Sequence, residues 1–232
     1  MAKKKAENQV VEIRPLDIQH VGLRIVGTAP LIVHAWSEKA KREMLEKQTG
    51  KGKKAKSKEP KNPMGDFAGS LYWLENKPTE DEVKEYTEYE WLEALNNGAR
   101  FGFPVSGIKQ ASNSAAFRNG WVPNQMGLRG AFFLHASDGE FAEIKDINTG
   151  ERCIPEMRED MVRIGKGTAD IRYRGEFTGW YMEFDLEYNA SGQYSLDDII
   201  NCISAGGYMV GIGEWRPEKD GMFGTYKVEV CG

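Results

Sequence analysis

The stretch of sequence that decides the fold is residues 180–207, WYMEFDLEYNASGQYSLDDIINCISAGG. Charged and apolar side chains alternate along its first half, residues 180–188, which predicts a strand with one buried face. Its second half begins with a capping pair, Ser195 and Asp198, and continues with apolar side chains at helical spacing. This pattern predicts an amphipathic helix over 195–205, which the following two glycines end.

The sequence on either side of this stretch predicts further elements in an order typical of an antiparallel α+β domain. Strands are predicted at 18–25, 128–135, 141–147, 170–177 and 225–230, and helices at 37–48, 79–98 and 106–117. The strands that flank Gly139 are predicted to form a hairpin, and those that flank Gly179 are joined there. Ser106 is the predicted cap of the helix over 106–117. This helix and the one over 195–205 would cover one face of the sheet in a split βαβ arrangement.

The composition is that of a globular chain with an uneven distribution of charge. The 232 residues include 31 Lys and Arg, 35 Asp and Glu, and 40% apolar side chains, which suits a single domain over residues 9–232. Residues 39–61 hold ten basic and three acidic side chains, so this window carries +7 and the rest of the chain −11. Within it, residues 49–62 are predicted to form a mobile basic insertion, and residues 1–8 a disordered basic tail. The net charge of −4 alone argues against a nucleic-acid partner, but its division between regions weakens that objection.

Several classes of protein and site are disfavoured. No run of 18 apolar residues occurs, so no membrane span is expected, and no apolar segment follows the N-terminal lysines to form a secretory signal. The three cysteines, Cys153, Cys202 and Cys231, are odd in number and widely spaced, which argues against a disulfide framework and fits a reducing cytoplasm. No His/Cys cluster, P-loop or dinucleotide fingerprint is present, so we expect no metal and no cofactor.

The strongest local signal of a binding site is the glycine-rich segment 205–224, AGGYMVGIGEWRPEKDGMFG. Its six glycines are Gly206, Gly207, Gly211, Gly213, Gly221 and Gly224. Glycine lets the backbone approach a ligand closely, and exposed N–H groups in such a loop can hold phosphates. Trp215 adds a stacking surface, and Arg216 and Lys219 add positive charge. A glycine-rich turn in an edge hairpin is the alternative interpretation.

Two further groups of basic residues are candidates for contact with nucleic acid. In residues 158–174 basic side chains alternate with apolar and aromatic ones, which suits a single-strand groove; a solvated strand face is the alternative. The candidates there are Arg163, Lys166, Arg172 and Arg174. The basic insertion would act as an auxiliary arm through Lys51, Lys53, Lys54, Lys56 and Lys58. By contrast, residues 75–93 hold eight acids and two lysines, which fits either a solvated helix face or a surface that mimics nucleic acid.

Catalysis has thinner support in the sequence. The chain has three histidines, His20, His34 and His135, and one of them could act as the general base of a metal-free ribonuclease. No second histidine and no paired Lys or Tyr stands at a spacing that singles one out. We therefore predict no catalytic residue.

Two motifs resemble the RAMP superfamily and, within it, the Cas7-like backbone proteins of CRISPR effector complexes. One is FPVSGIK at 103–109, followed by an alanine-rich helix, which is similar to a helix start of that group. The other is the C-terminal helix with the glycine-rich segment. Together they cover about residues 100–117 and 195–230, under a third of the chain. The segment GEWRP at 213–217 also resembles uncharacterised bacteriophage proteins of this length.

The resemblance implies a ferredoxin-like (RRM-like) fold: an antiparallel sheet with helices on one face and inserted loops. It also implies binding of single-stranded RNA along a groove, side by side with copies of the same chain. The chain departs from the family in being shorter and net acidic.

The sequence therefore predicts a protein that binds single-stranded nucleic acid, RNA in preference to DNA, as a homo-oligomer along the strand. Lys109, Trp215, Arg216 and Lys219 join the basic residues above as expected contacts. Other proteins of a ribonucleoprotein complex are further partners, and the expected location is the cytoplasm of a bacterial or phage-infected cell. Two alternatives stay open: a metal-independent endoribonuclease on the same fold, and an acidic interaction or inhibitor protein that mimics nucleic acid through residues 75–93.

Overall fold

A computed structural model of the chain describes residues 15–36, 38–49, 61–79, 82, 86–124, 126–164 and 168–231. The strands in this part of the chain are β1 (Ile18–Gly27), β2 (Leu31–Val33), β3 (Trp73–Glu75), β4 (Arg100–Pro104), β5 (Phe132–His135), β6 (Phe141–Glu143), β7 (Lys145–Asp146), β8 (Glu156–Ile164), β9 (Thr168–Phe177), β10 (Trp180–Asn189) and β11 (Tyr226–Val230). The α-helices are α1 (Glu38–Gln48), α2 (Pro63–Gly69), α3 (Glu88–Asn96), α4 (Val105–Arg118) and α5 (Leu196–Ala205), and none of these described helices is long and apolar enough to cross a membrane. The predicted tail at 1–8 and most of the predicted insertion at 49–62 lie outside the described residues.

The main sheet is antiparallel, with the strand order β11-β1-β10-β5 and the short β7 also paired to β10. Helix α4 precedes β5 in the chain, and α5 connects β10 to β11. The register places Leu23 opposite Phe184 and Ile25 opposite Met182, so these four buried side chains share one face of the sheet. The apolar stripes of α4 and α5 belong to the same core. The predicted α+β class with an antiparallel sheet is confirmed.

Helices α4 and α5 pack closely because Gly206, the C-cap residue of α5, has no side chain. A Cβ atom at Gly206 would lie 2.9 Å from the Ser112 nitrogen of α4, which is too short a distance for any other residue type. Ser195 and Asp198 form the predicted capping box at the start of α5. The α-helix ends at Ala205 as predicted, but a π-helical turn (Gly206–Val210) continues the coil.

Two smaller sheets of three strands each complete the described architecture. In one, β9 pairs with β2 and β8; in the other, β4 pairs with β3 and β6. Strands β8 and β9 pair antiparallel along almost their whole length, and we call these two strands the hairpin arm.

The structure contradicts the predicted pairing of strands around Gly139. Strands β5 and β6 do flank this turn, but β5 pairs with β10 while β6 pairs with β4. Isolated bridges from Ala136 to Gly139 and from Asp138 to Phe141 are what remains of the hairpin. The strands joined at Gly179, β9 and β10, likewise enter different sheets. Each strand thus pairs within the sheet that buries its apolar side chains, and the short turn between two strands does not decide their pairing.

Two predicted helices begin differently from expectation. Thr79 and Glu82 do form a capping pair, but residues 86–87 are not helical, and a second capping box starts α3 at Glu88. Ser106 is not a cap, because α4 begins at Val105. The N-cap residue of α4 is instead a proline at position 104, whose side chain has no acceptor.

Candidate nucleic-acid interface

The two motifs singled out in the sequence, the start of α4 and the glycine-rich segment, line one groove with a volume of about 710 Å³. We call it the α4 groove. The lining residues that matter below are Lys109, Asn113, Arg129, Gly213, Glu214 and Arg216. The two motifs meet because the π-helical turn after α5 packs directly on α4. The groove is therefore a product of the tertiary fold and belongs to neither motif alone.

The first turn of α4 faces this groove without a side-chain cap. The Val105 N–H donates to the Glu140 carbonyl at 3.0 Å, whereas no side chain in the described part of the chain accepts from the first-turn amides. Ser106 and Gly107, the next residues, line the groove. Because the N-terminus of a helix carries a partial positive charge and unpaired N–H groups, an uncapped first turn attracts anions.

Lys109 adds a full positive charge in the same place. Its ammonium lies 4.3 Å from the ring centroid of Phe133 and 5.3 Å from that of Phe132. Partial burial lowers the pKa of Lys109, and none of the described Asp or Glu residues forms an ion pair with it. A partly desolvated ammonium without a carboxylate is costly, which makes an anionic ligand favourable at this position.

The carboxylates of the groove are already occupied by basic partners. Glu214 lies 3.7 Å from His34 and 3.5 Å from Arg174, and these neighbours lower the pKa of Glu214, the contact with His34 most of all. Glu218 accepts hydrogen bonds from Arg216 at 2.7 Å and from Arg118 at 3.0 Å. These acids are therefore paired with basic neighbours, which leaves Lys109, Arg129 and the uncapped helix end as the positive groups of the groove.

The glycines of the segment 205–224 allow close backbone packing. A Cβ at Gly213 would lie 2.3 Å from the Ile32 oxygen, and one at Gly224 would lie 1.8 Å from the Ile212 oxygen. The N–H groups of Gly211, Ile212, Glu214, Gly221 and Gly224 all donate to main-chain carbonyls. The predicted row of free N–H groups for phosphates is therefore absent at these positions.

The three other predicted residues of this segment lie in different environments. Arg216 lines the groove, but it also donates to the Gly213 carbonyl at 2.9 Å, so its guanidinium is held by the protein. Lys219 is exposed. Trp215 is 38% exposed and has φ of 51°, a left-handed conformation that is unusual for a bulky residue. Such backbone strain at an exposed aromatic residue keeps Trp215 among the candidate contacts.

The exposed basic residues of the hairpin arm are available for contact. Arg163 is exposed, and Arg172 is partly exposed, 3.7 Å from Asp170. Lys166 lies outside the described residues. The same holds for the predicted arm lysines Lys51, Lys53, Lys54, Lys56 and Lys58.

Arg174 is different, because it is 3% exposed and belongs to a buried ion-pair network. It donates to Asp160 at 3.1 Å, and Asp160 is also bound by Arg158 at 2.9 Å. Arg158, which the sequence did not single out, packs on the ring of Phe223 with 4.6 Å to the centroid. This network joins the hairpin arm to the glycine-rich segment. We assign Arg174 a structural role and leave it out of the interface.

The structure also brings together two histidines that the sequence left apart. His20 of β1 lies 2.5 Å from Asp185, His135 of β5 lies 2.9 Å from Glu187, and the two imidazole centroids are 6.4 Å apart. All four side chains lie on the sheet face opposite Leu23 and Ile25, by the alternation of the strands. The hydrogen bond to Asp185 raises the pKa of His20 above its ordinary value. Only the register of β1, β10 and β5 could have revealed this pair.

No group of three or more His, Cys, Asp or Glu side chains in the described ranges is arranged to hold a metal ion. The described acids of the predicted acidic segment are exposed, and three of them, Glu88, Glu90 and Glu93, lie on α3. The chain matches no protein-family model, and no curated protein is significantly similar to it.

The structural role of Arg174 is tested by Arg174→Met, with Arg163→Met as the matched control. Without Arg174, the buried Asp160 carboxylate keeps Arg158 as its basic partner but loses the other one. We therefore expect the free energy of unfolding to fall by about 2–4 kcal/mol. The exposed Arg163 should change it by less than about 0.5 kcal/mol. Urea unfolding of the two variants measures both values. A small, equal effect at both positions would contradict this assignment.

Proposed function

We propose that the protein binds single-stranded nucleic acid in the α4 groove. The observation that carries this proposal is the half-buried Lys109 ammonium beside the uncapped first turn of α4, where no described carboxylate pairs with it. Phosphodiester groups are the repeated anions that would satisfy both features at once. Exposed Arg129 at the groove wall adds a further cation.

The arrangement of the main sheet supports a ferredoxin-like (RRM-like) core for this proposal. In chain order its elements are β1, α4, β5, β10, α5 and β11, and in space the strands are ordered β11-β1-β10-β5. A β-α-β-β-α-β chain with its fourth and first strands adjacent is typical of that fold. The proposed relationship to RAMP and Cas7-like proteins is supported by one further point: both motifs that carry the resemblance line the same groove.

The position of the C-terminal end of the basic insertion suits a role as an auxiliary arm. Lys61, the last lysine of this insertion and one of its few described residues, forms an ion pair with Asp170 of the hairpin arm at 2.6 Å and donates to the Ile171 carbonyl. The insertion therefore returns to the described structure beside the hairpin arm. Its lysines would add non-specific attraction to phosphates, and a net acidic chain needs such a local source of positive charge.

The proposal includes side-by-side binding of several copies along the strand. The hairpin arm carries apolar side chains that the described structure leaves exposed: Met157 at 43%, Met161 at 77% and Ile171 at 41%. Register places Met161 opposite Ile171, so the two form one exposed patch on the arm. A neighbouring copy would cover this patch and remove apolar surface from water.

The contribution of Lys109 is tested with Lys109→Met, which keeps the length of the side chain and removes its charge. We expect affinity for a single strand of about 15 nucleotides to fall about tenfold, with the slope of log affinity against log salt reduced by about 0.7. Fluorescence anisotropy between about 50 and 200 mM salt measures both quantities.

The matched control is Lys227→Met. Lys227 lies on β11, at the opposite edge of the main sheet from β5, and pairs with Glu229 at 2.9 Å. Its loss changes the net charge equally and should leave affinity nearly unchanged. Equal losses in the two variants would show that the α4 groove has no special part in binding.

A second candidate function is metal-independent cleavage of RNA, and the pair of His20 and His135 favours it. Two imidazoles 6.4 Å apart, each oriented by a carboxylate, can act as general acid and general base on one phosphodiester. His135 would take the proton of a 2′-hydroxyl as its oxygen bonds to phosphorus, and His20 would protonate the departing 5′-oxygen. The products are a 2′,3′-cyclic phosphate and a 5′-hydroxyl end.

The test of this second function compares His20→Ala, His135→Ala and His34→Ala on end-labelled RNA in the presence of EDTA. If the pair is catalytic, wild type and His34→Ala cleave the RNA, whereas each of the first two substitutions lowers the rate by at least about a hundredfold. RNA that stays intact with the wild-type protein would exclude cleavage and leave the binding proposal untouched.

A further inference from the structure

Asn113 lies on the wall of the α4 groove with an amide group that has no hydrogen bond to any described residue. The residue is 8% exposed, and its Oδ1 atom is buried without a partner. Buried polar atoms in folded proteins nearly always have a partner, and an unpaired one costs free energy. An unpaired amide in the wall of a binding groove therefore points to a group that the ligand supplies.

The position of Asn113 relative to Lys109 restricts what that ligand can be. The two residues are four apart on α4, so they lie on the same side of the helix, about 6 Å apart along its axis. Lys109 favours an anion, whereas Oδ1 can only accept a hydrogen bond. A ligand that satisfies both carries a negative charge and, within one helical turn of it, a hydrogen-bond donor.

The backbone of DNA does not meet this requirement, because its phosphate and sugar oxygens accept hydrogen bonds and donate none. RNA carries a 2′-hydroxyl on the ribose next to each phosphate, and this group donates. Amino groups of the bases also donate, but they differ from base to base and lie farther from the phosphate. The 2′-hydroxyl is thus the donor that accompanies every phosphate of a strand.

On the basis of the proposed nucleic-acid function, we propose that Asn113 accepts a hydrogen bond from a ribose 2′-hydroxyl and thereby makes the α4 groove selective for RNA over DNA. Rotation of the amide about its Cβ–Cγ bond exchanges Oδ1 and Nδ2 and turns Oδ1 toward the strand, and it breaks no hydrogen bond because neither atom makes one to a described residue. RNA satisfies the acceptor, whereas DNA leaves it unpaired.

The experiment measures the affinity of the full chain for three single strands of one sequence: RNA, DNA, and RNA with 2′-fluoro in place of 2′-hydroxyl. The fluoro strand keeps an RNA-like sugar but lacks the donor. Wild type should bind RNA about tenfold more tightly than either of the other strands. Asn113→Leu, which has a similar volume and no acceptor, should bind all three strands with the affinity that wild type has for DNA.

Equal wild-type affinity for RNA and the fluoro strand would overturn the inference, and so would an RNA preference that survives in Asn113→Leu. The comparison of strands on the wild-type protein needs no substitution, so it decides the question even if the variant does not fold. Lys109→Met separates the two proposals, because it should weaken RNA and DNA binding by the same factor. Absence of wild-type binding to all three strands would remove the proposed function and this inference together.

Discussion

The pairing of β1 with β10 is the constraint on which the rest of the molecule depends. It sets Leu23 against Phe184 and Ile25 against Met182, and so decides which face of the main sheet buries α4 and α5. A slip of one residue would exchange the two faces along the whole pair. The same register brings His20 within reach of Asp185 on the opposite face. One set of main-chain hydrogen bonds thus positions both the core and the two candidate sites.

The α4 groove follows from this core through a single close contact. Because Gly206 has no side chain, the turn after α5 lies against the backbone of Ser112, and the glycine-rich segment is held beside the start of α4. The segment contributes shape to the groove, since its amides bond to the protein itself. Positive charge comes from α4, through its uncapped first turn and Lys109, and from Arg129 beside it. The glycine-rich segment thus gives the groove its shape, and basic groups beside it give the groove its positive charge. This explains how a net acidic chain can offer a site for anions.

Elements with strong local signals could be predicted from the sequence, and pairings could not. The capping box of Ser195 and Asp198 and the alternation along β10 each depend on residues close in the chain, so α5 and β10 were predicted with nearly correct bounds. The pairing of β5 with β10 depends on distant residues and was missed. Strand β8 was not predicted as a separate strand, because the side of it that carries Arg158 and Asp160 is satisfied by ion pairs in place of apolar contacts.

In the candidate site, too, local motifs could be predicted from the sequence and long-range contacts could not. Lys109 was predicted from its motif, and the structure places it in the groove, whereas Arg174 looked equally basic and is buried in a salt bridge. Nothing in the sequence marks Asn113 as a candidate, because an asparagine on a helix is ordinary. Only the fold shows that its buried Oδ1 has no hydrogen-bond partner among the described residues. The proximity of His20 and His135 was likewise hidden by the long chain between them. The role of each residue depends on its burial and on its hydrogen-bond and ion-pair partners, and the tertiary fold decides both.

The central claim is that the phosphates of a strand bind at the uncapped start of α4. Its most direct test is the change in amide NMR shifts of the ¹⁵N-labelled protein when a short single strand is added. We expect the largest changes at Ser106, Gly107 and the adjoining wall of the α4 groove, with little change along β11. Changes confined to the sheet face of His20 and His135, or none at the start of α4, would contradict it.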